Sequence, residues 1–206
     1  MNNNNNEYDG AGPFNEGLAF VCKEGKWGFI DKNKRVVISI EYDRVWPFEG
    51  ELARVKKDGR YGFIDKIGKV VIRIKYDETS SFSEGLVMVK KDSKYGFVDK
   101  AGKEVIPIQF DYAESFYEGL AAVKNGGKWG FIDKKGNLVT PFEYDCADNF
   151  SEGLAIVRKD RKYGFIDKTG KIVIALQYDD ADNFKEGFAT VKRAGKWFYI
   201  DNTGKC

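Results

Sequence analysis

Short apolar runs alternate with turn-forming residues along the chain. In the stretch 52–74, three runs occur: Leu52–Lys56, Tyr61–Asp65 and Val70–Ile74. Lys57–Arg60 has the composition of a tight hairpin. Asp65–Lys69 fits a type I turn, with Asp65 in the first position and Gly68 in a left-handed fourth position. Short alternating runs bounded by such turns are typical of β-strands, so the pattern predicts a three-stranded antiparallel meander.

This pattern repeats. An aromatic–Gly–aromatic–aliphatic–Asp string begins at residues 27, 61, 95, 129, 163 and 197, a constant step of 34 residues. Two further columns keep the same step: Phe14, Phe48, Phe82, Phe116, Phe150 and Phe184, and Asp9, Asp43, Asp77, Asp111, Asp145 and Asp179. Because one such repeat is too small to bury a core alone, we expect the six copies to stack.

The repeated string resembles a known family. Lys26-Trp27-Gly28-Phe29-Ile30-Asp31 precedes a turn, a Val/Ile run, Tyr-Asp and Phe-x-Glu-Gly, and this order is similar to the bacterial WG (KWG) repeat family. The second repeat inverts Glu-Gly to Gly50-Glu51, and the last carries Phe198 in place of glycine. The resemblance implies an all-β array that serves as a binding or scaffolding surface. It brings no catalytic residues.

The predicted fold is therefore all-β: a tandem array of three-stranded antiparallel meanders, forming an open β-solenoid-like repeat. A closed propeller-like ring is the alternative. The sixth repeat stops at Cys206, where its third strand would begin, which favours the open array. We expect the strand edge at Trp197–Asp201 to be able to recruit a partner strand or a second copy of the chain.

Domain limits and location follow from the N-terminal segment and from hydropathy. Residues 1–6 are almost all asparagine, which predicts a disordered polar tail before one repeat domain at 7–206 whose last repeat is truncated. This segment has no basic and apolar regions of a secretory signal, and no run approaches the length of a membrane span. We therefore expect a cytoplasmic protein with no membrane partner.

Composition argues against catalysis, cofactors and metals. The chain has no histidine, which excludes His-based acid–base and nucleophilic catalysis and His-ligated metals. A net charge of +2 gives no basic field for nucleic acid. The three cysteines, Cys22, Cys146 and Cys206, are too few and too widely spaced for a disulfide framework. We expect no enzyme, no cofactor and no nucleic-acid partner.

Recurring side chains have structural explanations. Asp31 and its equivalents start turns and can accept turn N–H bonds. Trp27 and Phe29 can pack in the hydrophobic core between repeats, although repeated aromatics could also stack on sugars or cations. A basic column fits a solvated strand edge better than a phosphate-tracking stripe. Its members are Lys56, Lys90, Lys124, Arg158 and Lys192.

The candidate binding surface lies where the repeats differ. Positions between Tyr-Asp and Phe-x-Glu-Gly vary from copy to copy, which is typical of a partner-facing loop in repeat proteins. The candidate residues are Arg44, Trp46, Tyr112 and Tyr117. Large aromatics and arginine are enriched at interface hot spots. We predict a non-catalytic protein-binding or scaffolding module; a carbohydrate or cell-envelope binding module is the alternative.

Overall fold

The structure, a computed structural model, describes residues 7–206. The predicted disordered tail, residues 1–6, lies outside the described residues. Within 7–206 the regular elements are all β-strands. No helix of the described chain has the length and apolarity needed to cross a membrane.

The described strands form six antiparallel sheets, and the first three have four strands each in sequence order. Sheet 1 contains β1 (Gly10–Ala11), β2 (Leu18–Lys23), β3 (Lys26–Asp31) and β4 (Val36–Tyr42). Sheet 2 contains β5 (Arg44–Glu49), β6 (Leu52–Lys57), β7 (Arg60–Ile64) and β8 (Val70–Tyr76). Sheet 3 contains β9 (Glu78–Ser83), β10 (Leu86–Lys91), β11 (Lys94–Asp99) and β12 (Glu104–Phe110).

The remaining sheets repeat this order. Sheet 4 contains β13 (Tyr112–Ala113), β14 (Leu120–Asn125), β15 (Lys128–Asp133) and β16 (Leu138–Tyr144). Sheet 5 contains β17 (Cys146–Ala147), β18 (Leu154–Lys159), β19 (Lys162–Asp167) and β20 (Ile172–Tyr178). Sheet 6 has three described strands, β21 (Asp180–Ala181), β22 (Phe188–Arg193) and β23 (Lys196–Asp201).

The all-β repeat architecture is confirmed, with one strand more per sheet than the pattern shows. The three predicted runs of the stretch 52–74 are β6, β7 and β8. The connection expected to be a loop instead supplies a first strand, here β5, which pairs with β6. Four antiparallel strands in sequence order are also the make-up of one propeller blade.

The chain divides into two compact parts. Of the described residues, the first comprises 7–81, Val89–Asp92 and Val98–Lys103. The second comprises Phe82–Met88, Ser93–Phe97 and Glu104–Cys206.

Two kinds of tight turn connect the predicted strands as expected. Asp58-Gly59 links β6 to β7 with φ of 51° and 76°, the two positive angles of a type I′ hairpin. Between β7 and β8, the N–H of Gly68 donates to the carbonyl of Asp65 at 3.0 Å, and Gly68 has φ of 83°. The first repeat has Lys34 at that position, and its φ of 62° confirms a left-handed residue.

Replacing Lys34 with glycine should therefore stabilise the protein. A side chain in the left-handed region costs on the order of 1 kcal/mol, so Lys34→Gly is expected to raise the unfolding free energy by up to about that amount. Urea unfolding followed by circular dichroism measures it. Lys32→Gly, in the same turn but without a positive φ, is the control and should destabilise. A lowered stability for Lys34→Gly contradicts the expectation.

The glycine of the repeated string makes room for the last strand of its own sheet. The groups closest to it belong to the backbone of that strand and not to a side chain of a neighbouring repeat. A Cβ on Gly28 would lie 2.6 Å from the carbonyl oxygen of Ile38 and 2.8 Å from Cα of Ile40. The pairing of β3 with β4 slips at this point, because Trp27 pairs with Tyr42 whereas Phe29 pairs with Ile38. The extra residues of β4 bulge over the glycine.

The hydrophobic cores lie between successive sheets. In the first compact part, Phe29 and Ile38 of sheet 1 pack in one buried cluster with Phe48, Val55 and Ile64 of sheet 2. In the second part, equivalent clusters join sheets 3 and 4, 4 and 5, and 5 and 6. Each buried face therefore needs a neighbouring repeat, as the small size of one repeat predicts.

Candidate functional site

Three of the four candidate residues lie on first strands of the sheets, whereas the fourth, Tyr117, lies in the connection after such a strand. Arg44 and Trp46 belong to β5, and Tyr112 begins β13. Tyr117 follows β13 and forms an isolated bridge with Leu120 at the start of β14. Because these strands run along one edge of each four-stranded sheet, their side chains vary without disturbing the three predicted strands.

In the first compact part, Trp46 is the centre of an aromatic and cationic cluster. The guanidinium carbon of Arg44 lies 4.9 Å from the centre of the Trp46 ring, and that of Arg54 lies 4.1 Å away. The Tyr61 ring lies 5.9 Å from the Trp46 ring. Such contacts are attractive because the aromatic face is electron-rich.

Arg54 holds this cluster in place. Its Nη1 donates to the carbonyl oxygen of Thr79 at 3.0 Å. Burial lowers the pKa of the Arg54 guanidinium. The half-buried Trp46 therefore rests on a fixed guanidinium and turns part of its surface to solvent.

In the second compact part, Tyr112 lies in a row of aromatic rings. Its ring centre is 5.0 Å from that of Tyr95 and 5.6 Å from that of Trp129, the latter in an edge-on arrangement. The Tyr112 side chain is 40% exposed. Burial, followed by the charge of Asp148, raises the pKa of the nearby Glu114 carboxyl, and a hydrogen bond with Tyr112 acts in the opposite direction.

Tyr117 occupies a position whose side chain, in other repeats, donates a hydrogen bond to the next sheet. In three other repeats the equivalent side chain donates to the backbone carbonyl of a phenylalanine 33 residues later. These bonds are Asn15 to Phe48 at 2.7 Å, Ser83 to Phe116 at 2.5 Å and Ser151 to Phe184 at 2.8 Å. Tyr117 is an exposed aromatic in that column.

Sequence reasoning missed Arg54 and Glu114 as members of these clusters. Arg54 is the one charged residue in its column, which otherwise reads Phe20, Met88, Ala122, Ile156 and Thr190. The column of Arg54 lies on the second strand, opposite the column that contains Trp46 and Glu114. The hydrogen bond from the Glu114 N–H to the Ala122 carbonyl shows this pairing. The first repeat shows the same facing of the two columns, because Gly12 lies against the ring of Phe20.

The recurring turn aspartates act as expected. The Asp65 Oδ1 accepts the N–H of Ile67 at 3.1 Å and that of Lys69 at 2.8 Å. The same two bonds recur at Asp31, Asp99, Asp133, Asp167 and Asp201. These carboxylates stabilise their turns.

A second aspartate column joins successive repeats. Asp145 accepts Nζ of Lys128 from the preceding repeat at 2.5 Å and the N–H of Asp160 in its own hairpin at 3.0 Å. The hydrogen bond from Lys128 lowers the pKa of Asp145. The glutamate column does the same: Glu118 accepts the N–H of Gly153 and an ion pair from Lys168 at 2.9 Å.

The basic column lies on the second strand of each sheet, so the expectation of an exposed strand edge is wrong. Its side chains are half-buried, and those of Lys56, Lys124, Arg158 and Lys192 lie over the first aromatic of the repeated string. Lys56 Nζ lies 5.0 Å from the Tyr61 ring centre, and Lys124 Nζ lies 5.9 Å from that of Trp129. That first aromatic is mostly half-buried, whereas the phenylalanine two residues later is buried in repeats one to five.

Metal-ligating groups are dispersed over the described residues. No group of three or more cysteine, aspartate or glutamate side chains in 7–206 is placed to hold a metal ion. Cys22, Cys146 and Cys206 are free thiols.

The family model described as "WG containing repeat" matches the chain in six consecutive segments. The matched residues are 7–27, 27–61, 61–95, 95–129, 129–163 and 163–197. No curated protein matches the chain in sequence.

Solved structures align with this chain at low sequence identity. A eukaryotic initiation factor aligns with a TM-score of 0.55 at 12% identity, over 92% of this chain and 61% of that chain. Hsv2p of Kluyveromyces lactis aligns with a TM-score of 0.48 at 10% identity, over 91% and 71%. Hsv2 of Kluyvelomyces marxianus gives 0.48 at 12% identity, over 90% and 73%. The first of these structures supports the all-β repeat fold.

Proposed function

Since this chain belongs to the WG containing repeat family, we propose that it is a non-catalytic module that binds another protein. The binding side chains are those that differ between repeats. One observation carries the proposal: the unusual aromatics Trp46 and Tyr112 both lie on first strands, and each is the centre of a partly exposed aromatic cluster.

The positions that hold the same residue in successive repeats have structural roles, which supports assigning partner binding to the positions that differ. The turn aspartates bind turn amides, and the second aspartate column and the glutamates join successive repeats. The glycines accommodate a bulged strand. These residues are engaged in the framework, so the specificity of the module rests on the positions that vary.

The Trp46 cluster has the composition of an interface hot spot. Tryptophan, tyrosine and arginine are enriched among the residues that dominate binding energies at protein interfaces, and the two aromatics bury large areas at a modest cost in side-chain entropy. Arg44, Trp46 and Arg54 supply this set on one patch. The exposed Tyr112 supplies a second anchor in the other compact part.

Truncating both anchors is expected to weaken partner binding without unfolding the chain. The variant Trp46→Ala with Tyr112→Ala should lose at least about 2 kcal/mol of binding free energy. The partner is first captured from an extract of the native organism with the immobilised full chain and identified by mass spectrometry. Biolayer interferometry with the purified partner then gives the dissociation constants of wild type and variant.

Ile67→Ala is the control, because Ile67 is a 78% exposed side chain in a turn outside both clusters. It should bind like wild type. Circular dichroism and thermal melting report whether the double variant is folded. A folded double variant with unchanged affinity contradicts the proposal, and so does a double variant that unfolds, since Trp46 and Tyr112 would then belong to the core.

A further inference from the structure

A cavity of about 520 Å³ opens beside the ring of Tyr112 in the second compact part. Its lining residues are Asp111, Tyr112, Glu114, Lys124, Gly127 and Trp129. Two of them are aromatic and two are acidic. This composition differs from that of the other repeats, where the Tyr112 position holds Gly10, Arg44, Glu78, Cys146 or Asp180.

The aromatic side of the cavity is built by Tyr112 and Trp129. Their rings meet at an interplanar angle of 65°, and the ring centre of Tyr95 lies 5.0 Å from that of Tyr112. The three rings thus support one another and fix the orientation of Tyr112. Rings held in this way present electron-rich faces that attract an organic cation.

The acidic side of the cavity adds negative charge. Asp111 is ion-paired with Lys94 at 2.6 Å, so its charge is largely offset. Glu114 has a polar, uncharged partner in Tyr112. The neighbouring Asp148 likewise accepts a hydrogen bond from the uncharged amide of Asn183 at 2.8 Å. Burial and, after it, the charge of Asp148 raise the pKa of Glu114, and a cation in the cavity would favour its charged form.

Lys124 is the one cation among the lining residues of this cavity. Its Nζ lies 5.9 Å from the Trp129 ring centre, and equivalent pairs occur at Lys56 with Tyr61, Arg158 with Tyr163 and Lys192 with Trp197. Lys124 therefore belongs to the common framework of the repeats, whereas Tyr112 and Glu114 are particular to sheet 4. Its positive charge opposes the entry of a second cation.

We propose that this cavity binds an organic cation, an alkylammonium or guanidinium group, between the rings of Tyr112 and Trp129 and the carboxylate of Glu114. The inference goes beyond the binding of a protein partner. A free ammonium compound and a basic side chain of a peptide present the same chemistry to the site.

Choline and its uncharged isostere 3,3-dimethylbutan-1-ol test the requirement for charge. Titration into the full chain is followed by the NMR signal of the Trp129 indole N–H and by calorimetry. Choline is expected to bind at least about tenfold more tightly than the isostere, since cation–π attraction and the carboxylate act on the charge. Equal binding of the two compounds overturns the proposal, as does the absence of any binding by choline and N-acetylarginine amide.

Three variants identify the residues. Tyr112→Leu and Glu114→Gln should each weaken choline binding about fivefold or more, and Lys124→Met should tighten it about threefold. The gain for Lys124→Met is decisive, because a misfolded variant does not bind more tightly. Tyr199→Leu, at an exposed tyrosine of sheet 6, is the matched control. Unchanged affinity in Tyr112→Leu and Glu114→Gln, or weaker binding in Lys124→Met, contradicts the assignment.

A parallel titration with N-acetylarginine amide distinguishes the two sources of the cation. Tighter binding of this compound than of choline indicates the side chain of a basic peptide. Tighter binding of choline indicates a free quaternary ammonium compound. Either result supports the cation site and identifies the class of compound that occupies it.

Discussion

Gly164→Ala is expected to lower the free energy of unfolding by about 3 kcal/mol, at the upper end of overpacking effects. The added Cβ would lie 2.5 Å from the carbonyl oxygen of Ile174 and 2.9 Å from the carbonyl carbon of Ala175. Both contacts are with the backbone of β20. That strand cannot move away without losing its pairing with β19, in which Phe165 pairs with Ile174.

Urea unfolding of the full chain measures this loss. Gly130→Ala is the matched comparison in the same column of the repeat. Its Cβ would meet the Thr140 carbonyl oxygen at 2.9 Å and Cδ1 of Phe142 at 3.1 Å, so the clash is milder and the loss should be smaller. Equal stability of Gly164→Ala and wild type contradicts the role assigned to the glycine.

Phe131→Ala is expected to cost about 3–5 kcal/mol, the range for removing a fully buried phenylalanine. Phe131 is 0% exposed. Its ring centre lies 5.1 Å from that of Phe150 at an angle of 70°. Phe131 belongs to sheet 4 and Phe150 to the segment leading into β18 of sheet 5, so the variant removes a contact between two sheets.

Tyr199→Ala is the control for this substitution. Tyr199 occupies the same column of the repeat but is 72% exposed, so its truncation should change stability by less than about 0.5 kcal/mol. A double-mutant cycle with Phe150→Ala should give a coupling of about 0.5–1.5 kcal/mol for the ring pair. Similar losses in Phe131→Ala and Tyr199→Ala contradict packing between successive sheets.

The sequence predicts the strands and turns whose signals are local. Residues 65–69 contain both the side chain and the glycine that their turn requires, and the left-handed Lys34 follows from its column. The first strands could not be predicted from local patterns, because several have only two residues, such as Tyr112–Ala113. Two residues cannot show an alternating pattern, and their pairing with the next strand depends on the intervening hairpin.

The function of Gly28 and its equivalents also needed the structure. A glycine in a strand indicates a close approach, but the identity of the approaching group depends on register. The slip between β3 and β4 brings the backbone of Ile38 and Ile40 over Gly28. Phe198 occupies the equivalent position in β23, where the described sheet has no fourth strand to collide with a side chain.

The candidate surface could be predicted in part. Trp46 and Tyr112 stand out because they differ from their columns, and Arg44 was expected beside them. Arg54 and Glu114 were missed because their placement depends on the pairing of the first strand with the second. Once that pairing is known, the residues opposite one another lie eight positions apart, as in Trp46 and Arg54.

Hydroxyl-radical footprinting of the chain, with and without its captured partner, is the most direct test of the binding surface. It asks whether the aromatic side chains that differ between repeats form that surface. The partner is expected to lower the oxidation of Trp46 and Tyr112. Oxidation of the exposed Trp197 and Tyr199 in β23 should stay unchanged. Protection of Trp197 and Tyr199 with unchanged oxidation of Trp46 and Tyr112 would contradict this expectation.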